Sequence, residues 1–160
     1  MEINTHWHIV KKVFKKSFTS SFHYSIATVD GNGKPHVTPI GSLILGKPGH
    51  AIYFEEFTSK LPENLKTNKQ VCILAVNSSK WFWLKSLIKG KFSEPPALRL
   101  QGEAGILREA TECEVRLWHK RVKSVSFTKG HKMIWKHMGM VREISFSKIK
   151  PVHIGSMTDK

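Results

Sequence analysis

Phe22-His23-Tyr24-Ser25-Ile26-Ala27-Thr28-Val29-Asp30-Gly31-Asn32-Gly33-Lys34-Pro35-His36-Val37-Thr38-Pro39-Ile40 is the stretch on which the fold turns. Phe22, Tyr24, Ile26 and Thr28 alternate with His23, Ser25, Ala27 and Val29, the period of a strand. Asp30-Gly31-Asn32-Gly33 supplies residues that tolerate positive φ, so the chain reverses directly into a second strand over 35–45. Gly46-Lys47-Pro48-Gly49 makes the next reversal, into a strand over 51–57. That strand empties into Thr58-Ser59-Lys60-Leu61-Pro62-Glu63-Asn64-Leu65, which places two hydroxyls and a lysine where a short helix begins. The helix runs from Lys60 to about Thr67 with Leu61 and Leu65 on one face, and residues 71–76 read as a buried strand.

Outward from this stretch the pattern is mixed. Ile9, Val10, Val13 and Phe14 recur at helical spacing and predict a short amphipathic helix between Thr5 and Lys16. Residues 77–96 are less regular, holding Trp81-Phe82-Trp83, Lys80, Lys85, Lys89, Lys91 and the stiff pair Pro95-Pro96. They read as a connection covering one end of the sheet, in which an extended chain would put Trp81 and Trp83 on one face. Residues 98–107 return to strand, where Gly102 and Gly105 mark tight curvature or bulges. Thr111-Glu112-Cys113-Glu114 matches a capping box, and Val115, Trp118, Val122 and Val125 line the helix that follows. The ambiguous segment 129–140 precedes strands at about 141–146 and 152–154.

Six or more short antiparallel strands with tight turns and peripheral helices predict a mainly β fold, a small barrel, as a single domain over residues 1–160. The first hundred residues exclude a helical bundle, and the short connections exclude a parallel βαβ sheet.

Lys and Arg outnumber Asp and Glu by 26 to 12, a net charge of +14, which points to an anionic partner: nucleic acid, anionic lipid or a polyanionic small molecule. The lysines are spread along the chain without zinc-finger spacing or an RNP-like motif, so a nucleic-acid-binding protein is a lesser alternative. No apolar run reaches the roughly 18 residues that span a bilayer, so no membrane partner is expected. Met1-Glu2-Ile3-Asn4 is not a secretion signal, and Cys72 and Cys113 are two lone cysteines, which makes the cytoplasm the expected compartment.

Thr58, Ser59 and Lys60 form the first candidate site. Unpaired N–H groups at a helix start favour an anion, hydroxyls add donors and a lysine adds compact charge. Lys66 reaches the same neighbourhood if its side chain folds back. The same residues also read as a plain N-cap, Ser59, with Lys60 facing water. His36, Thr38 and Ile40 share one strand face opposite Val37 and Pro39, and Pro39 favours an edge or bulge. An open edge there could offer backbone groups to a planar ring. His6 with His8, and His131 with His137, lack zinc-ligand spacing, so no metal site is expected. Glu55 and Glu56 point to opposite faces of a strand and make no acid/base pair, so no catalytic side chain is assigned and a cofactor would carry any reaction.

Taken together, residues 26–40 resemble the opening hairpin of the pyridoxamine 5′-phosphate oxidase-like, FMN-binding split-barrel proteins. The resemblance continues in Ala51-Ile52-Tyr53-Phe54, in Thr58-Ser59-Lys60 with Asn64-Leu65 and Asn68, and in Val71-Cys72-Ile73-Leu74, and resumes at Leu98-Arg99-Leu100-Gln101-Gly102-Glu103-Ala104. It implies a split β-barrel and a homodimer with FMN at the subunit boundary, acting on an unknown small redox substrate. Thr58, Ser59 and Lys60 would then match the grip on the FMN phosphate, Tyr53 and Phe54 would lie near the ribityl chain, and Thr38, Pro39 and Ile40 would border the isoalloxazine ring. Ser59 stands where the oxidases carry a basic residue, Ala97 where they carry a glutamine, and residues 148–160 lack their arginine-rich end. These departures weaken pyridoxamine phosphate oxidation as the reaction. Within the wider superfamily related proteins reduce flavin or quinone-like substrates, use the deazaflavin F420 or bind heme, so an F420-dependent reductase and a flavin or heme binder without turnover are the alternatives to an FMN-binding oxidoreductase; for heme, His36, His131 and His137 would be the candidate ligands.

Overall fold

The computed structural model describes residues 1–123, 127, 129 and 138–159. Its elements, in chain order, are α1 (Ile3–Ser21), β1 (Tyr24–Val29), β2 (Pro35–Ile40), β3 (Ile44–Leu45), β4 (His50–Phe54), α2 (Lys60–Thr67), β5 (Gln70–Val76), α3 (Lys80–Lys89), β6 (Ala97–Glu109), α4 (Glu112–Val122) and β7 (Met140–Pro151). The seven strands form one sheet of order β2-β1-β5-β6-β7-β4-β3, and every neighbouring pair is antiparallel. Among the described residues no helix is long and apolar enough to cross a membrane.

Local chemistry accounts for most of these elements. At the β1–β2 hairpin Asp30 Oδ1 accepts the N–H groups of Asn32 and Lys34, both at 2.9 Å, and Gly33 takes φ +79°. Pro35 and Pro39 lie on β2, an edge strand, where a missing amide donor is tolerated. α1 buries Trp7, Val10, Val13, Phe14 and Ser17 along one stripe. Trp7 Nε1 donates to the Gly46 carbonyl at 3.1 Å, and Ser17 Oγ accepts the Val76 amide at 3.2 Å. The helix is thereby held across the sheet at both ends. α4 starts in the expected capping box, with Thr111 Oγ1 accepting from the Glu114 amide at 3.3 Å and Glu114 accepting from the Thr111 amide at 2.8 Å.

The main core gathers α1, α2 and one face of the sheet, including Ile26, Ile40, Tyr53, Leu61, Ile73, Leu100 and Ile144. A second cluster under α4 joins Phe54, Trp118, Val122, Met138 and Val141. Because Tyr53 faces one cluster and Phe54 the other, the end of β4 is buried on both sides.

The long strands β6 and β7 carry the curvature. Their register slips between Gln101 and Gly102, and again between Ala104 and Leu107. Both expected glycine irregularities fall at these slips. A Cβ on Gly102 would stand 2.1 Å from the Ser145 carbonyl oxygen and 2.7 Å from Phe146 Cα, so backbone and not side chain fills the space.

The mainly β barrel expected from the sequence is corrected here. The sheet is not closed: β2 and β3 are its two ends and do not pair with each other. Helices occupy about as many described residues as strands, so the fold is mixed α/β and not a split barrel of strands with minor helices. The N-terminal helix is 19 residues long, and the supposed irregular connection over 77–96 contains α3, which turns Trp81 and Trp83 to different sides. Residues 35–45 divide into β2 and the two-residue β3. The strand expected at 141–146 runs on to Pro151 as β7, and the one expected at 152–154 is not a strand: Ile154 makes only an isolated bridge to Ser156. Val125 lies outside the described residues, as does most of the ambiguous segment 129–140.

Gly102→Ala should lower stability by roughly 3 kcal/mol, seen as a reduced urea midpoint at unchanged slope. Arg108 Nη atoms contact both Glu114 carboxylate oxygens at 2.9 and 2.8 Å and hold that carboxyl at about 2, down from 4.5. A carboxyl lowered on folding stabilises the protein above its unfolded value and loses that contribution as pH falls through the folded one. Glu114→Gln keeps the capping bond but not the charge. Its urea midpoint should therefore lie below wild type at pH 7, and the two should converge as the pH falls from 4.5 through about 2.

Candidate functional site

α2 is seated by a polar bond inside an apolar stripe. Leu61 and Leu65 enter the main core, and Asn64, buried between them, donates from Nδ2 to the buried Thr28 Oγ1 at 3.0 Å. Thr67 Oγ1 lies 4.0 Å from where a Gly31 Cβ would stand, so the C-terminal end of α2 abuts the hairpin turn. The helix thus runs along β1 with its N-terminus directed toward Ile26 and Tyr24. Those residues pair across the hairpin with Thr38 and Ile40.

The start of α2 is short of partners. Ser59 has helical dihedrals (φ −94°, ψ −46°) and makes no side-chain cap hydrogen bond, so the plain N-cap reading does not describe it. Thr58 Oγ1 is buried and has no hydrogen-bond partner among the described residues. Lys60 Nζ pairs with Glu63 at 3.0 Å, and both side chains are exposed. Such a pair is weak and can exchange for a stronger anion. Lys66 occupies the last turn, roughly 9 Å along the axis from Lys60. First-turn amides, two hydroxyls and a lysine make a set dominated by donors, which suits a phosphate-like anion.

β2 presents His36, Thr38 and Ile40 on the face shared with Thr28, Ile26 and Tyr24, while Val37 and Pro39 point outward. Ser42 Oγ donates to the Phe54 carbonyl at 2.9 Å and ties the chain beyond β2 to the end of β4. The end of β2, the end of β4 and the start of α2 are thereby brought together.

Tyr53 and Phe54 enter this region as buried side chains. Tyr53 hydrogen-bonds to Glu55, and burial followed by that carboxylate pushes its phenol well above the usual range. Phe54 packs on Trp118, with ring centroids 5.7 Å apart. Arg142 grips both Glu55 oxygens at 2.6 Å and is raised by those hydrogen bonds. Glu56 accepts the amides of Gly139 and Met140 at 2.7 and 3.1 Å. Both carboxylates are engaged in joining β4 to β7. Among the described residues there is no group of three or more metal-ligating side chains, and His131 and His137 lie outside those residues.

Sequence reasoning missed Thr28, Asn64 and Ser42 as positioning residues. A signal for the first two was present: each is a polar residue in an apolar stripe, and a buried polar group needs a partner.

Residues 11–153 match the family model described as pyridoxamine 5′-phosphate oxidase. The chain belongs to that family. Among solved structures of the same fold, an FMN-binding protein from Syntrophomonas wolfei subsp. wolfei is 16% identical, with 94% of this chain and 90% of that one covered and a TM-score of 0.61. HupZ from Group A Streptococcus is also 16% identical, over 89% of this chain and 92% of its own, with a TM-score of 0.58. HutZ, the heme storage protein from Vibrio cholerae, is 14% identical over 94% and 95%, with a TM-score of 0.52. No curated protein sequence matches the chain. The pyridoxamine 5′-phosphate oxidase fold therefore accommodates a flavin-binding protein and a heme storage protein, and membership alone does not select a reaction.

Asn64→Ala should cost about 2 kcal/mol of stability by stranding the Thr28 hydroxyl, read from urea unfolding. Combining it with Thr28→Val should cost less than the sum of the two single changes, because they share one bond.

Proposed function

We propose that the chain is an FMN-binding oxidoreductase in which Thr58, Ser59 and Lys60 hold the flavin phosphate. The observation that carries this reading is the start of α2, which has no side-chain cap, beside the buried Thr58 hydroxyl, which has no partner among the described residues. A bound phosphate would accept from that hydroxyl, from Ser59 and from the first-turn amides, and would draw Lys60 from its exposed pairing with Glu63. Lys66 adds charge at the other end of the helix. Thr38, Pro39 and Ile40, with His36 beside them, would border the ring at an edge whose backbone groups remain open on one side. Tyr53 and Phe54 would act by fixing the end of β4 near the ribityl chain.

FMN supplies hydride transfer through its N5; the side chains described here would bind, orient and shield it, and none is assigned a proton-transfer role. The exposed Val37 on β2 and the exposed Phe57 just before Thr58 are apolar surface at the rim. They support closure of the site by a second copy of the chain, as a homodimer. Cys72 and Cys113, both unbonded, support a reducing compartment such as the cytoplasm. The substrate in this reading is a small redox molecule.

The absorbance spectrum of the purified protein, before and after incubation with FMN, tests the cofactor. Flavin bands are expected; protein that stays colourless after incubation, or that takes up heme or F420 in preference, overturns the reading. Flavin-dependent oxidation of a reduced nicotinamide tests turnover. Lys60→Ala should weaken FMN binding by roughly tenfold or more. Thr58→Val should stabilise the flavin-free protein by about 1 kcal/mol, since it removes an unpaired buried hydroxyl, while weakening FMN binding. Unchanged affinity in both variants would place the phosphate elsewhere.

A further inference from the structure

α3 is a well-made helix with its apolar side turned outward. Ser79 caps its start, accepting from the Phe82 amide, and Gly90 ends it in the left-handed region. Its inner side is fixed: Trp83 Nε1 donates to the Asn77 carbonyl at 2.7 Å, and Phe92 packs against Trp83 and Phe82 with centroids 5.2 and 5.6 Å away. The outer side carries Trp81, Leu84 and Ile88 at i, i+3 and i+7, with Leu87 beside them. Their exposures are 74%, 48%, 76% and 61%. Rigid anchoring of one side keeps this stripe in solvent.

The charge around the stripe has one sign. Lys80, Lys85, Lys89 and Lys91 flank it, and no carboxylate occurs between Glu63 and Glu94. Glu94 is already held by Lys12 and Lys16, which keep its carboxyl below the usual range against the upward push of burial. Next to the start of α3 lies a groove of about 740 Å³ lined by Lys12, Lys15, Lys16, Ser79 and Lys80 among others. None of the candidate flavin-site residues lines it.

From these observations we infer that α3 is a docking helix for an anionic lipid surface, with the apolar stripe entering the acyl boundary and the lysines meeting headgroups. An outward Trp-Leu-Ile stripe flanked by lysines is the pattern of a helix lying in a membrane interface. At 10 residues α3 is far too short to span, so it lies on the bilayer. The expectation of no membrane partner rested on the absence of a spanning segment and does not bear on such docking. A second copy of the chain is a poor occupant. A two-fold contact through this face would set its lysines against themselves with no carboxylate to answer them. The inference is independent of the flavin reading.

The test is sedimentation of the full chain with phosphatidylcholine vesicles, with and without about 30% phosphatidylglycerol. Binding is expected only to the anionic vesicles and should fall in high salt. The triple variant Trp81→Ser/Leu84→Ser/Ile88→Ser should bind roughly tenfold more weakly or worse, and so should Lys85→Glu/Lys89→Glu, with far-ultraviolet circular dichroism unchanged in both. As a measurement on the native helix, acyl chains brominated near the headgroup should quench the fluorescence of wild type more than that of Trp81→Phe. Three results would overturn the inference: no binding to anionic vesicles, binding indifferent to the apolar triple, or quenching unaffected by Trp81→Phe. Tighter binding to polyglutamate than to the vesicles would point to an acidic protein instead and overturn it equally.

Discussion

The Gly102 backbone lies so close to the Ser145 carbonyl that even one methyl group on it would stand 2.1 Å from oxygen. Everything that gathers the candidate site depends on this close approach. β6 and β7 are the two longest strands and lie at the middle of the sheet. A slip in their register bends the sheet, as bulges do. Because the sheet curls, Ile40 at one end of the strand order and Tyr53 near the other belong to one core. The curl stops short of closure, with two prolines on β2 and only two residues in β3 at the open ends. The end of β2 can then sit beside the end of β4, joined through the Ser42 hydroxyl, without a continuous ladder between them.

That geometry explains which parts of the fold were legible in the sequence. The Asp30–Gly33 reversal and the Thr111 capping box are set by residues within four positions of one another, and both stand as expected. α2 also matched its expected bounds, because Leu61 and Leu65 mark its buried face unambiguously. α3 was missed because its apolar residues surround the axis: Phe82 and Trp83 face the body while Trp81 and Ile88 face solvent, so no 3.6-residue contrast survives. Failure to close was illegible for a different reason. It depends on whether two edges distant in sequence meet, and no local pattern carries that.

The candidate site was legible in its residue types more than in its supports. Thr58, Ser59 and Lys60 stood out as donors before a helix, but the same letters spell an ordinary cap. The structure removes the side-chain cap, since Ser59 makes no cap hydrogen bond, and it buries the Thr58 hydroxyl without a partner among the described residues. A helix start left in this state costs stability, as buried polar groups without partners do. The site tolerates it because Leu61, Asn64 and Leu65 hold α2 from below by packing and by the bond to Thr28. Any anion that satisfies those donors binds the folded chain alone and raises its stability by mass action.

The distribution of carboxylates decides where the net charge of +14 can act. Glu55 and Glu56 join β4 to β7; Glu114 and Glu143 both answer Arg108; Glu94 answers Lys12 and Lys16. These acidic groups are engaged in holding elements together, and what they neutralise is arginine and a few lysines of the framework. Lysines on the run between Glu63 and Glu94, including all those of α3, have no such partner in the sequence around them. The remaining positive charge is spread along the chain, and at two places it stands beside other features. One is the region of α2, where a donor set of atomic precision suits a discrete phosphate. The other is the outer side of α3, where flexible lysines beside an apolar stripe suit a surface that is anionic and extended.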